Sequence, residues 1–192
     1  MSRKDQILEA SYDIVGEEGL EGLHARTVAQ RLGINHAAVH YYFRTRSDLI
    51  YSLAKYAIDR FFAEQDEMLG KAASPQERID ALVSQVKSYS SPDSPFVRNW
   101  LSFFIAGITD AQLRELLGDH LVRWCEVLEQ ELEKEGNSVA IPLLNPRALL
   151  ATLIGVMVVG QLDRQGDVST DVDELSSTLK QFSQGQNQEQ GL

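Results

Sequence analysis

Two short helix signals around a three-residue turn occupy residues 25–43, and they constrain the fold more than any other feature. The first is ARTVAQRL, the turn is Gly33-Ile34-Asn35, and the second is HAAVHYYF. Glycine permits the left-handed backbone of a tight turn, and asparagine is a preferred N-cap. The pattern predicts a helix-turn-helix, the arrangement that places a helix in the DNA major groove.

The charge around this segment indicates a polyanionic partner. Between Gly22 and Ser47 the chain carries four arginines, three of its four histidines and no acidic residue, although its formal net charge is −10. Residues 51–192 hold twelve Lys or Arg against twenty-one Asp or Glu, so most of the negative charge lies elsewhere. We call residues 22–47 the basic segment, and only this part of the chain needs to face DNA.

Cysteine content and hydropathy exclude several classes of protein. The single cysteine, Cys125, excludes an internal disulfide framework and zinc sites built from several cysteines. The first fifteen residues lack the apolar core of a signal peptide, and the apolar run Ala148–Leu162 is short for a bilayer span. We therefore expect a cytoplasmic protein with no membrane partner.

The remaining sequence favours an all-α fold. Sustained period-two alternation is absent, and Ser74-Pro75, Ser94-Pro95 and Asn145-Pro146 each read as an N-cap followed by the first helical position. Nine helices are predicted, at residues 3–18, 25–32, 36–43, 46–71, 75–90, 95–108, 110–135, 146–164 and 171–184. The residues after 184 offer nothing to bury and are predicted to form a disordered tail.

The last two predicted helices indicate a homodimer. The eighth is apolar on every face, so in a chain of this size a second subunit is expected to cover one side. The ninth has only a narrow apolar stripe, as in one half of an intersubunit four-helix contact. The residues predicted at the dimer interface are Leu153, Val156, Val159, Leu175, Leu179 and Phe182.

The stretch LHARTVAQRLGINHAAVHYYFRTRSDLI, from Leu23 to Ile50, resembles the helix-turn-helix of the TetR family of ligand-responsive transcriptional regulators. The Tyr41-Tyr42-Phe43 run, a basic residue at 46 and Leu49 carry the resemblance. It implies a nine-helix, TetR-like fold: a three-helix DNA-binding domain at 1–48, an effector-binding and dimerisation domain at 49–184, and a tail at 185–192. His24 stands where the family often has a Ser or Thr cap, so a weaker cap is expected there. His40 replaces a frequent tyrosine, and Arg46 a frequent lysine.

The stretch NWLSFFIAGITDAQLRELLGDHLVRW is similar to the body of the choline-responsive repressors of betaine synthesis within that family. Those proteins have an Asp-Gly-Leu-Trp run in the eighth helix. This chain has Gly155-Val156-Met157-Val158 instead, which removes a candidate anionic partner for a quaternary ammonium. Choline is therefore not predicted as the effector of this chain.

The predicted DNA contacts fall into two groups. Arginines and backbone amides at helix starts are expected to bind phosphates, and the exposed face of the third helix is expected to read base edges. Val39 and Phe43 are interpreted as core residues that hold that helix in place. The predicted DNA-binding residues are Arg26, Thr27, Asn35, His36, Ala37, Ala38, His40, Tyr41, Tyr42, Arg44 and Arg46.

A metal site is the alternative considered for His36 and His40, because an i, i+4 histidine pair has the spacing of zinc ligands. No third ligand is nearby in the sequence, so base or phosphate contact is favoured. No metal and no cofactor are predicted.

Aromatic residues concentrated in the body predict a pocket for a small, largely apolar or aromatic effector. A filled core is the competing interpretation, and His120 by itself is more often a hydrogen-bonded core histidine. Asn99 and Gln161 are candidate polar handles. The predicted pocket residues are Tyr89, Asn99, Trp100, Phe103, Phe104, His120, Trp124, Met157 and Gln161.

Taken together, the sequence predicts a homodimeric repressor, not an enzyme, that a small effector releases from a palindromic operator of double-stranded DNA. Two alternatives stay open. One is an architectural DNA-binding protein that senses no ligand. The other is a hydrolase, although no nucleophile elbow, phosphate-binding glycine loop or metal-ligand cluster accompanies the acids and histidines.

Overall fold

The computed structural model describes residues 1–90, 94–134, 146–162, 173–174 and 177. Within these residues every secondary-structure element is a helix, which confirms the all-α class. The continuous helices are α1 (Arg3–Gly22), α2 (Ala25–Leu32), α3 (His36–Tyr42), α4 (Arg46–Lys71), α5 (Pro75–Ser90), α6 (Pro95–Thr109), α7 (Ala111–Lys134) and α8 (Pro146–Leu162).

The predicted helix bounds hold closely except at two places. The sequence predicts that the first helix ends at residue 18. Instead, the chain passes through Gly19 with φ 72° and returns to helix as far as Gly22. Glycine adopts this positive φ readily, which is why the kink falls there. The predicted ninth helix lies outside the described residues apart from positions 173, 174 and 177, and the predicted tail at 185–192 lies wholly outside them.

Side-chain caps fix the starts of α3 and α4. Gly33 takes the left-handed conformation at φ 64°, and Asn35 Oδ1 then accepts a hydrogen bond from the Ala37 N–H at 2.9 Å. At the start of α4, Thr45 Oγ1 accepts from the Asp48 N–H at 3.0 Å, and Asp48 Oδ2 accepts from the Thr45 N–H at 3.0 Å. The turn therefore has the cap that the sequence predicts, and a reciprocal pair of side-chain bonds caps the start of α4.

Contacts divide the chain into two compact units, and the first comprises residues 1–64 and 94–121. In this unit α1 packs against α2 and α6. The approach of α1 to α6 is close, because a Cβ built on Gly16 would lie 2.7 Å from the Cβ of Pro95. Beside it, Asn99 Nδ2 donates to the Tyr12 carbonyl at 3.2 Å. Helix α6 is thus fixed directly to the first helix of the chain.

The second unit comprises residues 65–93 and 122–192, so far as they are described. Here α5 packs against α8. Arg78 Nη2 donates to Glu131 Oε1 at 2.7 Å, and its Nη1 donates to the Leu69 carbonyl at 2.6 Å. The Glu131 side chain is only 4% exposed, so its carboxylate is shielded from water, whereas the Arg78 side chain is 23% exposed. None of the described helices combines the length and the hydropathy that crossing a bilayer requires.

Candidate nucleic-acid interface and effector site

The turn between α2 and α3 sets the direction of α3. The Ile34 N–H donates to the Ala29 carbonyl at 3.0 Å, and the Gly33 N–H donates to the Gln30 carbonyl at 3.2 Å. These bonds satisfy carbonyls at the end of α2 that would otherwise lack partners. His24, at the N-cap of α2, makes no side-chain capping bond, as expected from its sequence.

One side of α3 is buried and the other faces solvent. Val39 is fully buried and Phe43 is 3% exposed, so the interpretation of both as core residues is confirmed. Among the remaining positions, Ala38 is half-buried and the others are exposed. The exposed residues of this recognition face are Asn35, His36, Ala37, His40 and Tyr41.

Tyr41 is the most accessible aromatic residue of the recognition face, with 80% of its surface exposed. Its ring meets the ring of Tyr42 edge to face, with centroids 5.1 Å apart. Tyr42 is itself 40% exposed, so two aromatic rings extend into solvent at the end of α3. Exposed aromatic groups of this size are typical of interaction surfaces.

The histidine pair lies on the recognition face as the spacing predicts. The rings of His36 and His40 have centroids 6.1 Å apart and are nearly perpendicular. Among the described residues, no group of three or more His, Cys, Asp or Glu side chains is arranged to hold a metal ion. Both rings are exposed and available to base edges or phosphates.

The basic segment is partly neutralised by an acid that lies outside it. Arg31 donates from Nη1 and Nη2 to the two carboxylate oxygens of Glu17 at 2.9 and 2.6 Å, and this contact lowers the pKa of Glu17. Arg26 and Arg44 are exposed at the starts of α2 and α4. Their contact with DNA phosphates stays a prediction.

Arg46 is attached to the end of α1. Its Nε donates to the Leu23 carbonyl at 3.1 Å, and its Nη2 donates to the Leu20 carbonyl. The carbonyls at a helix C-terminus carry partial negative charge, which favours a cation there. Arg46 therefore fastens the start of α4 to α1, in addition to its predicted role at phosphate.

Rings from α4, α6 and α7 meet in the first unit, and we call this group the aromatic cluster. At its centre Trp100 stacks on His120, with centroids 4.4 Å apart and an interplanar angle of 17°. Phe61 and Phe62 meet the His120 ring edge to face at 5.5 and 5.3 Å. The members of the cluster are Phe61, Phe62, Phe96, Trp100, Phe103, Phe104 and His120.

The predicted pocket residues are divided between the two units. Trp100, Phe103, Phe104 and His120 are brought together in the aromatic cluster. Asn99 is in the same unit, but both donor bonds of its amide go to backbone, to the carbonyls of Tyr12 and Pro95. The members in the second unit are Tyr89, Trp124, Met157 and Gln161.

The predicted dimer-interface residues that the structure describes lie on α8. Val159 is 56% exposed, and Leu153 and Val156 are half-buried. Ala151, Thr152 and Gly155 are exposed on the same helix. The other predicted interface residues, Leu175, Leu179 and Phe182, lie outside the described part of the chain.

The predicted pocket residues leave out three members of the aromatic cluster, Phe61, Phe62 and Phe96, and the sequence does not predict the ion pair of Arg31 with Glu17. Phe61 and Phe62 are each 2% exposed, and their period on α4 with Leu53, Ala57 and Ile58 could have revealed an inward face. The contact of Arg31 with Glu17 joins positions fourteen apart on different helices. No local pattern predicts such a contact.

A search against protein families finds that residues 7–53 match the N-terminal model described as bacterial regulatory proteins, tetR family. The matched residues span α1, α2, α3 and the start of α4. The recognition face and the arginines at 26, 44 and 46 therefore all lie within the match.

Curated relatives extend this similarity into the body. The chain is 26% identical over 115 residues to the HTH-type transcriptional regulator BetI of Burkholderia ambifaria, a match that covers 59% of each chain. That alignment spans less than two thirds of the relative's length. A second BetI, from Burkholderia cenocepacia, is 26% identical over 165 residues, covering 83% of this chain and 82% of the relative.

The fold is also similar to solved structures. A transcriptional regulator from Saccharomonospora viridis in complex with choline superposes with a TM-score of 0.77 at 20% identity, covering 93% of this chain and 94% of that one. A TetR transcription regulator from Haloarcula marismortui gives the same TM-score at 17% identity, covering 91% and 94%. At these identities the likeness supports the fold alone.

Proposed function

We propose that this chain, whose residues 7–53 match the model of the tetR family of bacterial regulatory proteins, is a homodimeric repressor that a small effector releases from a palindromic DNA operator. The observation that carries the proposal is the geometry of α3. Val39 and Phe43 anchor the helix from inside, so its histidines and Tyr41 extend outward together. Exposed arginines flank that face at the starts of α2 and α4.

The two kinds of contact have different consequences for DNA binding. Phosphate contacts from Arg26, Arg44 and Arg46 set affinity and its dependence on salt. Side chains of the recognition face set sequence preference, and the small Ala37 leaves room for close approach to a thymine methyl. A symmetric dimer would place two copies of α3 in successive major grooves about one helical turn apart.

The exposed face of α8 supports the dimer. A helix whose apolar residues lie on every side requires cover on every side, yet Val159 and Leu162 are 56% and 78% exposed in the single chain. Exposed small residues on α8 allow a partner helix to approach closely. A second copy of the chain, related by a two-fold axis, would bury this face.

The aromatic cluster is the proposed effector site. It belongs to the same compact unit as α1, α2 and α3. Helix α6 carries Trp100 into the cluster, and its neighbour Asn99 binds the backbone of α1. An effector that moves α6 would therefore act on the DNA-binding helices through this bond. The effector can weaken operator binding only to the extent that it binds the released state of the protein more tightly than the DNA-binding state.

The proposal is tested by selecting bound sequences from a random duplex library at moderate salt with purified full-length protein. Enrichment of an inverted repeat is expected, because two copies of α3 would read two half-sites. An asymmetric single half-site would contradict the dimer. Salt-sensitive binding without enrichment would contradict the operator-binding regulator.

The architectural alternative predicts a body that accepts no ligand. A thermal-shift screen of the purified protein against a broad compound library separates the two functions. A compound that raises Tm and also releases the selected operator supports the effector-responsive repressor. Sequence-selective binding that no compound relieves would favour a regulator without an effector.

A further inference from the structure

The indole N–H of Trp100 is a buried donor without an acceptor. Trp100 is 5% exposed, and its Nε1 finds no hydrogen-bond acceptor among the described residues. A buried polar group left unpaired costs free energy. Most such groups in folded proteins have a partner, so the exception needs an explanation.

The first unit, to which Trp100 belongs, buries no side chain that is always ionised at neutral pH. Every residue of the first unit is described, and none of its Asp, Glu, Lys or Arg side chains is buried. Its buried polar side chains are Ser11, Asn99 and His120. Burying an ion without a counter-charge is costly, so this environment favours an uncharged ligand.

The arrangement of the rings also disfavours a cationic ligand. A cation binds over an open aromatic face, and quaternary ammonium groups are held by several such faces. One face of Trp100 is covered by His120 at 4.4 Å, while Phe61 and Phe103 meet the indole edge to face. One π face of Trp100 is thus already occupied, and its N–H has no acceptor among the described residues.

We propose that the effector is an uncharged molecule with an apolar body and a carbonyl oxygen, as in a ketone or an ester, that accepts the Trp100 Nε1–H bond. This inference rests on the proposed effector site. Phe104 is half-buried, and its ring lies 5.6 Å from that of Trp100, so the cluster is partly exposed to solvent at this residue. The apolar body would pack among the phenylalanines, and the carbonyl would satisfy the buried donor.

Four probes with the same phenylpropyl framework isolate the head group: propylbenzene, propiophenone, 3-phenylpropanoate and 3-phenylpropyl-trimethylammonium. Their affinities for the full-length protein are measured by calorimetric titration. Propiophenone is expected to bind about three- to tenfold more tightly than propylbenzene, the range that one net hydrogen bond gives. The two charged probes are expected to bind more weakly than the ketone.

Trp100→Phe keeps an aromatic ring and removes only the donor, so the preference for ketone over hydrocarbon is expected to fall to about one. A second measurement uses the unaltered protein and does not depend on how the variant folds. The indole N–H proton resonance of Trp100 should move downfield with propiophenone and stay in place with propylbenzene. Trp100→Phe assigns that resonance among the two tryptophans of the chain.

Any of three results overturns the inference. They are equal affinity for the ketone and the hydrocarbon, tightest binding of the carboxylate or the ammonium probe, and no binding of any probe at millimolar concentration. Operator binding by the same preparations is measured in parallel. Intact operator binding with no ketone preference would reject only this inference, whereas loss of sequence-specific DNA binding would reject the proposed function.

Discussion

Arg46 donates from Nε to the carbonyl oxygen of Leu23 across 3.1 Å, and this bond joins the start of α4 to the end of α1. The same guanidinium also donates to the carbonyl of Leu20. Its planar fork can hold two carbonyls at once, whereas a lysine offers one compact ammonium. The residue therefore makes a structural bond within the protein, and its proposed phosphate contact would use the charge of the same guanidinium.

The two roles of Arg46 are separated by comparing Arg46→Ala with Arg46→Lys. The alanine variant should weaken binding to any duplex and reduce the log–log salt slope by about 0.9 for each lost phosphate contact. The lysine variant should keep the parental slope, because the charge remains. Both should unfold more easily, by about 1 kcal/mol, since the paired carbonyl bonds are lost. Slopes from titrations at several salt concentrations check this, and an unchanged slope for Arg46→Ala would remove the phosphate assignment.

His36→Ala should alter sequence preference more than salt dependence. His36 is exposed on the recognition face, which is proposed to meet base edges rather than the phosphate backbone. We expect discrimination at one position of each half-site to fall by about 1 kcal/mol, with the salt slope preserved. Competition binding with operator variants measures this. A uniform loss across all sequences would show that His36 contacts phosphate instead.

Gly16→Ala should destabilise the packing of α1 on α6. The new methyl would lie 2.7 Å from Pro95 Cβ and 3.2 Å from Asn99 Nδ2, so one helix must move. We expect a loss of about 1–3 kcal/mol in the free energy of unfolding, measured by urea denaturation. Gly118→Ala is the matched control, because Gly118 is exposed on α7 and a methyl added there would meet nothing within 4 Å. It should gain about 0.5–1 kcal/mol from helix propensity.

Tyr12 should make stability fall in alkaline solution. Burial raises the pKa of Tyr12 from 10.0 to about 12, with Arg60 acting in the opposite direction. Between pH 10 and 12 the unfolded chain releases this proton while the folded chain keeps it, so stability decreases as pH rises. The decrease should reach about 2–3 kcal/mol. Tyr12→Phe should show a correspondingly shallower loss over the same window, and parallel curves would contradict the assignment.

Much of the fold follows from local chemistry. Gly33 and Asn35 define the turn, the Thr45 and Asp48 pair starts α4, and Ser94 followed by proline starts α6. Each of these signals acts within a few residues, which is why the sequence predicts it. The end of α1 does not follow from local chemistry in the same way, because a glycine with positive φ can either end a helix or kink it. Gly19 kinks α1.

The sequence by itself determined the all-α class, the helix-turn-helix and the buried roles of Val39 and Phe43, because periodicity and caps are properties of neighbouring residues. Only the tertiary structure decided what long-range partners do. It attached Arg46 to the carbonyls of α1, paired Arg31 with Glu17, and turned the Asn99 amide toward Tyr12. It also placed Phe61 against Trp100 and left the indole N–H without an acceptor among the residues described. These contacts join helices far apart in the chain, and their geometry depends on how whole helices pack.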